Sequence, residues 1–141
     1  MSEIDPYHLE RFVSAQEPLY LSALAELRSG YKVSHWMWFV FPQIAGLGRS
    51  AMAQRYAISG AEEARAYLAH PVLGARLWEC CGAILAVEGK SAYDILDSPD
   101  DMKLKSSMTL FDFVERHSVF AEVLGKYYQG ERDERTLELL A

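Results

Sequence analysis

Five apolar residues, Leu73, Leu77, Cys80, Ile84 and Val87, recur at intervals of four, three, four and three. Only a helix returns such positions to one face, because its period is 3.6 residues and a strand's is two. Pro71 stands before the run and Gly89 after it, the residues that commonly open and close a helix. Residues 72–87 therefore read as a central core helix, and the remaining chain must pack around it.

The same period governs most of the sequence. Asp5 is suited to cap a helix with Pro6 at its first position, and Leu9, Phe12, Val13 and Gln16 then share a face. After Pro18 a second helix runs to Arg28, closed by Gly30. Ser50 precedes a short helix over residues 51–58, and Gly60 leads into another over residues 61–69 with Glu62 and Glu63 at its positive end. Residues 91–96 read as a helical turn. Ser98-Pro99-Asp100-Asp101 reads as a capping serine, a first-position proline and two acids opening a long helix. Val119, Phe120, Val123, Leu124 and Tyr127 mark the next, and Asp133 opens the last.

The exception is residues 31–44, where Val33, Trp36, Trp38, Phe39, Val40 and Phe41 suit either a buried strand or a buried helical turn. No second strand is visible for it to pair with. The expectation is an all-α, compact multihelical single domain over residues 1–141, with about six to eight helices around the core helix. A chain of 141 residues is the size of one domain.

Charge and patterning exclude several functions. Fourteen basic against twenty acidic residues give a formal charge of −6, which argues against nucleic acid, since phosphate neutralisation drives that affinity. The longest apolar run, residues 36–41, is far below the ~20 residues a membrane span needs. The first residues carry acids and lack the apolar core of a signal peptide. A cytoplasmic location is expected, with no membrane and no nucleic-acid partner. Cys80 and Cys81 are adjacent in an apolar helix and read as small core residues. His8, His35, His70 and His117 are scattered without ligand spacing, so no metal and no cofactor are expected. The oligomeric state is not legible.

One segment departs from the average. Between Glu26 and Glu62 there is no Asp or Glu, while Arg28, Lys32, Arg49 and Arg55 fall there; this window carries +4 and leaves −10 of the total −6 to the rest. It also holds Tyr31, Trp36, Trp38, Phe39, Phe41 and Tyr56, six of the seventeen aromatics. Gly46-Leu47-Gly48-Arg49-Ser50 runs directly into a helix start, where glycines admit an anion to unpaired N–H groups and Arg49 offers a fork. The glycines fit the loose dinucleotide fingerprint through Ala51, but no βαβ frame surrounds them and no Gly-Lys-Ser/Thr follows. A second polar cluster lies at Lys103, Lys105, Ser106, Ser107 and Thr109, with Lys103, Ser106 and Ser107 on one helix side. His35 stands between a lysine and the tryptophans, and an imidazole exchanges protons near neutral pH. The plainer alternative makes the aromatics core, the glycines a turn and the hydroxyls a solvated helix face.

The runs Ser34-His35-Trp36-Met37-Trp38-Phe39, Phe41-Pro42-Gln43, Gly46-Leu47-Gly48 and Arg55-Tyr56-Ala57 resemble the uncharacterised bacterial family DUF1810. So do His70-Pro71-Val72-Leu73-Gly74 and Lys103-Leu104 followed by Ser106-Ser107-Met108-Thr109-Leu110-Phe111. The resemblance implies a mainly helical single domain and brings no established activity. Some members carry a calpastatin label, but that inhibitor is a disordered repeat protein, and no such repeat is visible here.

The family motifs coincide with the two polar clusters. The expectation is a pocket where residues 34–55 meet residues 103–109, binding a small anionic or nucleotide-related ligand. Its binding residues would be Ser34, His35, Trp36, Trp38, Gln43, Gly46, Gly48, Arg49, Ser50, Arg55, Lys103, Ser106, Ser107 and Thr109. His35 is the first catalytic candidate, and whether any bond is broken stays open. The rival is a protein-interaction or structural helical module without catalytic activity.

Overall fold

The computed structural model describes residues 4–141. Residues 1–3, which begin the stretch expected to lack a signal peptide, lie outside them. The described residues form α1 (Glu10–Gln16), α2 (Tyr20–Ser29), α3 (Met37–Val40), α4 (Ala51–Arg55), α5 (Ala61–Ala69), α6 (Leu73–Leu85), α7 (Ala92–Leu96), α8 (Asp100–Val114), α9 (Val119–Tyr128) and α10 (Glu134–Leu140). The fold is all-α. Three of these ten helices are single turns of four or five residues, which leaves seven longer ones, within the expected number. Among the described residues no helix is long and apolar enough to cross a membrane.

Helix α6 lies at the centre, packed by α2, α5 and α9, while α8 packs on α5, α7, α9 and α10. The face counted from the sequence is the buried one: Leu73, Leu77, Cys80 and Ile84 are all within 1% of full burial. Each such side chain contributes roughly 1.5–3 kcal/mol on leaving water. Burial also pushes the Cys80 thiol up to about 12 and the Cys81 thiol well above its ordinary value. The carbonyls at the α6 C-terminus are taken up from α9. Lys126 Nζ donates to Leu85 O at 2.5 Å and to Val87 O, and Tyr127 Oη donates to Ile84 O at 2.5 Å, placing a cation where the helix end is negative.

Buried Gln16 ties α1 to the core. Its Nε2 donates to Phe39 O at 2.7 Å and to Tyr67 Oη at 3.1 Å, and its Oε1 accepts from Arg76 at 3.3 Å. All of its amide's principal partners are therefore within the fold, as a buried polar group requires.

Residues 31–44 are neither strand nor long helix. They contain the single turn α3 and then one isolated parallel bridge, Ile44 to Ile58. Two helix starts differ from expectation. Asp5 does serve as a cap, accepting from Leu9 N at 2.8 Å and Glu10 N at 3.1 Å, but α1 opens at Glu10 after an intervening turn, so Pro6 is not its first residue. Ser98 does not cap α8: the helix opens at Asp100 with Pro99 flanking it, and the Pro99 carbonyl accepts from Met102 N and Lys103 N at 3.1 Å.

Glycines within α6 give a direct test of this packing. A Cβ at Gly74 would stand 2.2 Å from the Leu68 carbonyl oxygen at the α5–α6 junction, whereas one at Gly82 would meet nothing within 4 Å. Gly74→Ala is expected to destabilise the protein by about 1–3 kcal/mol through overpacking. Gly82→Ala should stabilise it by about 0.5–1 kcal/mol through helix propensity. Urea unfolding of the two variants reads both signs.

Candidate functional site

Gly30 ends α2 in the left-handed conformation at φ 78°, and the chain turns back along that helix. The returning segment has no ladder to satisfy its donors, and Glu26 supplies the acceptors. Its Oε1 accepts from Val33 N at 2.8 Å, Ser34 N at 3.0 Å and Trp36 Nε1 at 2.9 Å, and its Oε2 accepts from Ser34 Oγ. Partial burial pushes the Glu26 carboxyl upward, but these donors outweigh it and hold the group at about 2. Trp36 is thereby fixed with its ring completely buried and its indole N–H bonded.

The next anchors cross to α7 and α8. Lys32 N donates to Ile95 O at 2.8 Å, and Lys32 Nζ donates to Ser34 O at 2.6 Å while lying 3.1 Å from Asp100 Oδ2. The same ammonium sits 5.0 Å from the centroid of Trp36. Lys103, one turn into α8, approaches the other Asp100 oxygen at 3.7 Å and lies 5.7 Å from the Trp38 ring centroid. Two ammoniums thus share one carboxylate. That trio carries a net charge of +1, and Asp97, on the lining of the pocket beside it, is a second acid.

These residues frame a pocket of about 380 Å³. Val33, His35, Met37 and Trp38 form one wall together with Lys32, and Leu96, Asp97, Ser98 and Lys103 belong to the other. His35 is exposed and has no hydrogen-bond partner among the described residues. Asp97 is the second acid at the rim; its Oδ1 accepts from Ser98 N at 2.7 Å. Apolar walls with a few converging polar groups are the ordinary form of a small-molecule site. Among the described residues no group of three or more His, Cys, Asp or Glu is arranged to hold a metal ion.

The pocket unites His35, Trp36, Trp38 and Lys103 of the expected residues. Ser34 stands behind it, its hydroxyl spent on Glu26. The remaining residues lie elsewhere, each for a visible reason. Gly46, at φ 105°, adopts a backbone conformation suited to glycine, and a Cβ there would meet Leu139 at 3.2 Å. A Cβ at Gly48 would stand 2.4 Å from that of Ala53. These glycines let the loop close on α10 and α4. Ser50 Oγ accepts from Ala53 N at 3.1 Å as an N-cap, and the carbonyl of exposed Arg49 accepts from Gln54 Nε2 at 2.9 Å. Gln43 belongs to the bridge, its carbonyl accepting from Ile58 N at 2.8 Å.

Arg55 lies over Tyr56 and lines a different depression, of about 350 Å³, with His8, Glu10 and Arg11. On α8, Ser106 Oγ donates to Met102 O at 3.2 Å and Thr109 Oγ1 to Lys105 O at 2.8 Å, the latter also accepting from Asp133 N at 2.9 Å. Ser107 is wholly buried. The helix N-terminus and glycine loop at Ser50 are therefore not part of this pocket, and the hydroxyl row is internal. Lys32, Asp97 and Asp100 also line the pocket and are not among the expected binding residues, although Asp97 and Asp100 are possible members of a carboxylate pair on the sequence alone. Lys32 carried a signal, standing three residues before His35 in the acid-free window; Asp100 was absorbed into the reading of a helix start.

A family described as a protein of unknown function (DUF1810) matches residues 6–140. The crystal structure of the conserved hypothetical protein Rv1873 from Mycobacterium tuberculosis is similar over 96% of this chain and 98% of that one, with a TM-score of 0.95 and 54% identity. No curated protein matches significantly.

The Glu26 clamp makes a prediction about acid. A carboxylate whose folded value is depressed adds stability that is present above its unfolded value and is lost as pH falls through the folded one. Stability is expected to decline between the ordinary glutamate value of 4.5 and about 2 as Glu26 protonates. Glu26→Ala, by stranding the donors of Val33, Ser34 and Trp36, should cost roughly 1–3 kcal/mol at neutral pH. It should also flatten the acid limb in this window, as read by thermal unfolding at a series of pH values.

Proposed function

The chain belongs to the DUF1810 family of unknown function, and from that starting point we propose that it binds a small anionic or nucleotide-related ligand in the pocket between residues 32–38 and the start of α8. The observation that carries this reading is the convergence of Lys32 and Lys103 on the single carboxylate of Asp100, beside His35 and Trp38. A phosphate or carboxylate would be accepted by the Lys103 ammonium, which lies 3.7 Å from Asp100 and shares that carboxylate with Lys32. Trp38, with its ring only partly buried, offers a flat apolar wall for a ring or chain attached to the anion. His35 is positioned at the mouth to donate a further hydrogen bond, and it is the first residue to examine for proton transfer.

A protein-interaction module is the second reading. Tyr31, Val33 and Tyr93 are 63%, 69% and 58% exposed around the same region, and exposed apolar side chains in one neighbourhood suit a macromolecular contact. The two readings differ in what they bind.

Thermal unfolding in the presence of inorganic phosphate, AMP and ADP-ribose tests the first. A compound at one hundred times its Kd should stabilise the fold by about 2.7 kcal/mol, seen as a rise of several degrees in Tm. Lys103→Met, which keeps the packing of the aliphatic stem, should weaken that compound by about tenfold or more. No shift with any of the three would overturn the ligand reading.

A further inference from the structure

The pocket does not end at its acidic rim. Lys32 and Asp97 also line a neighbouring hollow of about 240 Å³, whose other walls include Tyr31, Tyr93 and Asp94. The two hollows therefore adjoin across a shared pair of residues, one lobe on either side. Their chemistry is opposite. The ammonium of Lys32 is committed to the first lobe, being bonded to Ser34 O and paired with Asp100 over the Trp36 ring. The second lobe is left with two carboxylates and two phenol rings.

Asp97 accepts from Ser98 N through Oδ1 and keeps its other oxygen without a hydrogen-bond donor among the described residues, while Asp94 accepts from Ser91 N through Oδ2 in the capping box of α7. Backbone and side-chain hydrogen bonds from Ser91 keep the Asp94 carboxyl below its ordinary value, so it is ionised at neutral pH. The nearby base is Lys90, whose ammonium donates to Gly30 O at 2.9 Å. Tyr31 and Tyr93 present most of their ring surface to solvent. Aromatic faces beside carboxylates attract a cation by quadrupole and by charge together, and they disfavour a second anion.

We propose that the Tyr31–Tyr93 lobe takes an ammonium or guanidinium group, so that the two lobes together fit an amphoteric small molecule, anionic beside Lys103 and cationic beside Tyr93. The inference rests on the first lobe being an anion site. It narrows that reading: a purely anionic compound fills one lobe, and one with a positive group at its far end fills both.

Three matched series of alkyl phosphates of increasing chain length, ending in methyl, hydroxyl or amine, separate the two statements when titrated calorimetrically into the intact protein. At one chain length the amine is expected to bind about tenfold more tightly than its methyl and hydroxyl counterparts, the gain of a cation on aromatic faces beside carboxylates. Tyr93→Ala should abolish that preference while leaving the methyl-terminated compounds unchanged, since Tyr93 is not part of the first lobe. If methyl-terminated phosphates bind and the amine adds nothing at any length, the second lobe is not a cation site and the anion reading stands. If the amine's advantage survives in Tyr93→Ala, its location is wrong. If no member of any series binds, both statements fall together.

Discussion

The Glu26 carboxylate is the interaction on which the rest of the site depends. A helical chain satisfies its backbone internally, and the difficulty arises where it must leave one helix and enter another while staying near the core. Between α2 and α3 that need falls on residues 31–36, which have no ladder of their own. One side chain, projecting from the last turns of α2, accepts from two backbone amides, a hydroxyl and an indole. Local geometry and tertiary anchoring are thus supplied together. With Trp36 seated, Lys32 and His35 are carried to their places and Trp38 faces the start of α8.

The charge in that wall is shared rather than paired. Had Lys32 and Lys103 each found its own acid, the contact between residues 31–36 and α8 would be held by ordinary salt bridges, worth little for stability at partial exposure. Sharing Asp100 is instead the feature on which the proposal of an anion site rests. The same neighbourhood places Asp97 on the boundary between the lysine-bearing lobe and the tyrosine-bearing one. On the proposed reading an elongated amphoteric ligand would have a defined direction across the two hollows.

The sequence made the helices legible where a local signal sufficed. Helix α5 occupies residues 61–69 as read from Gly60 and its first-turn acids, and Gly30 closes α2 in the left-handed conformation. The α6 face came from spacing alone. In the site, His35, Trp38 and Lys103 were recognisable as polar or aromatic groups beyond what packing needs. The glycine loop misled because Gly46 and Gly48 answer to Leu139 and Ala53, and contacts of that kind leave no trace in a short motif. Ser106 and Thr109 misled for another reason: a helical hydroxyl can donate to the carbonyl four residues back, which removes it from any pocket. Asp100 was hidden by a sufficient explanation, since first-turn acids are expected at any helix start.

The burial of Cys80 and Cys81 has a use outside folding. The thiolate is the form that attacks alkylating and disulfide-forming reagents, and both thiols are enclosed and held away from that form by burial. The native chain is expected to react slowly with maleimides. A cysteine placed at an exposed rim position such as Tyr93 or Val33 would be the reactive thiol, and would carry a fluorophore or spin label at a chosen lobe without rebuilding the interior.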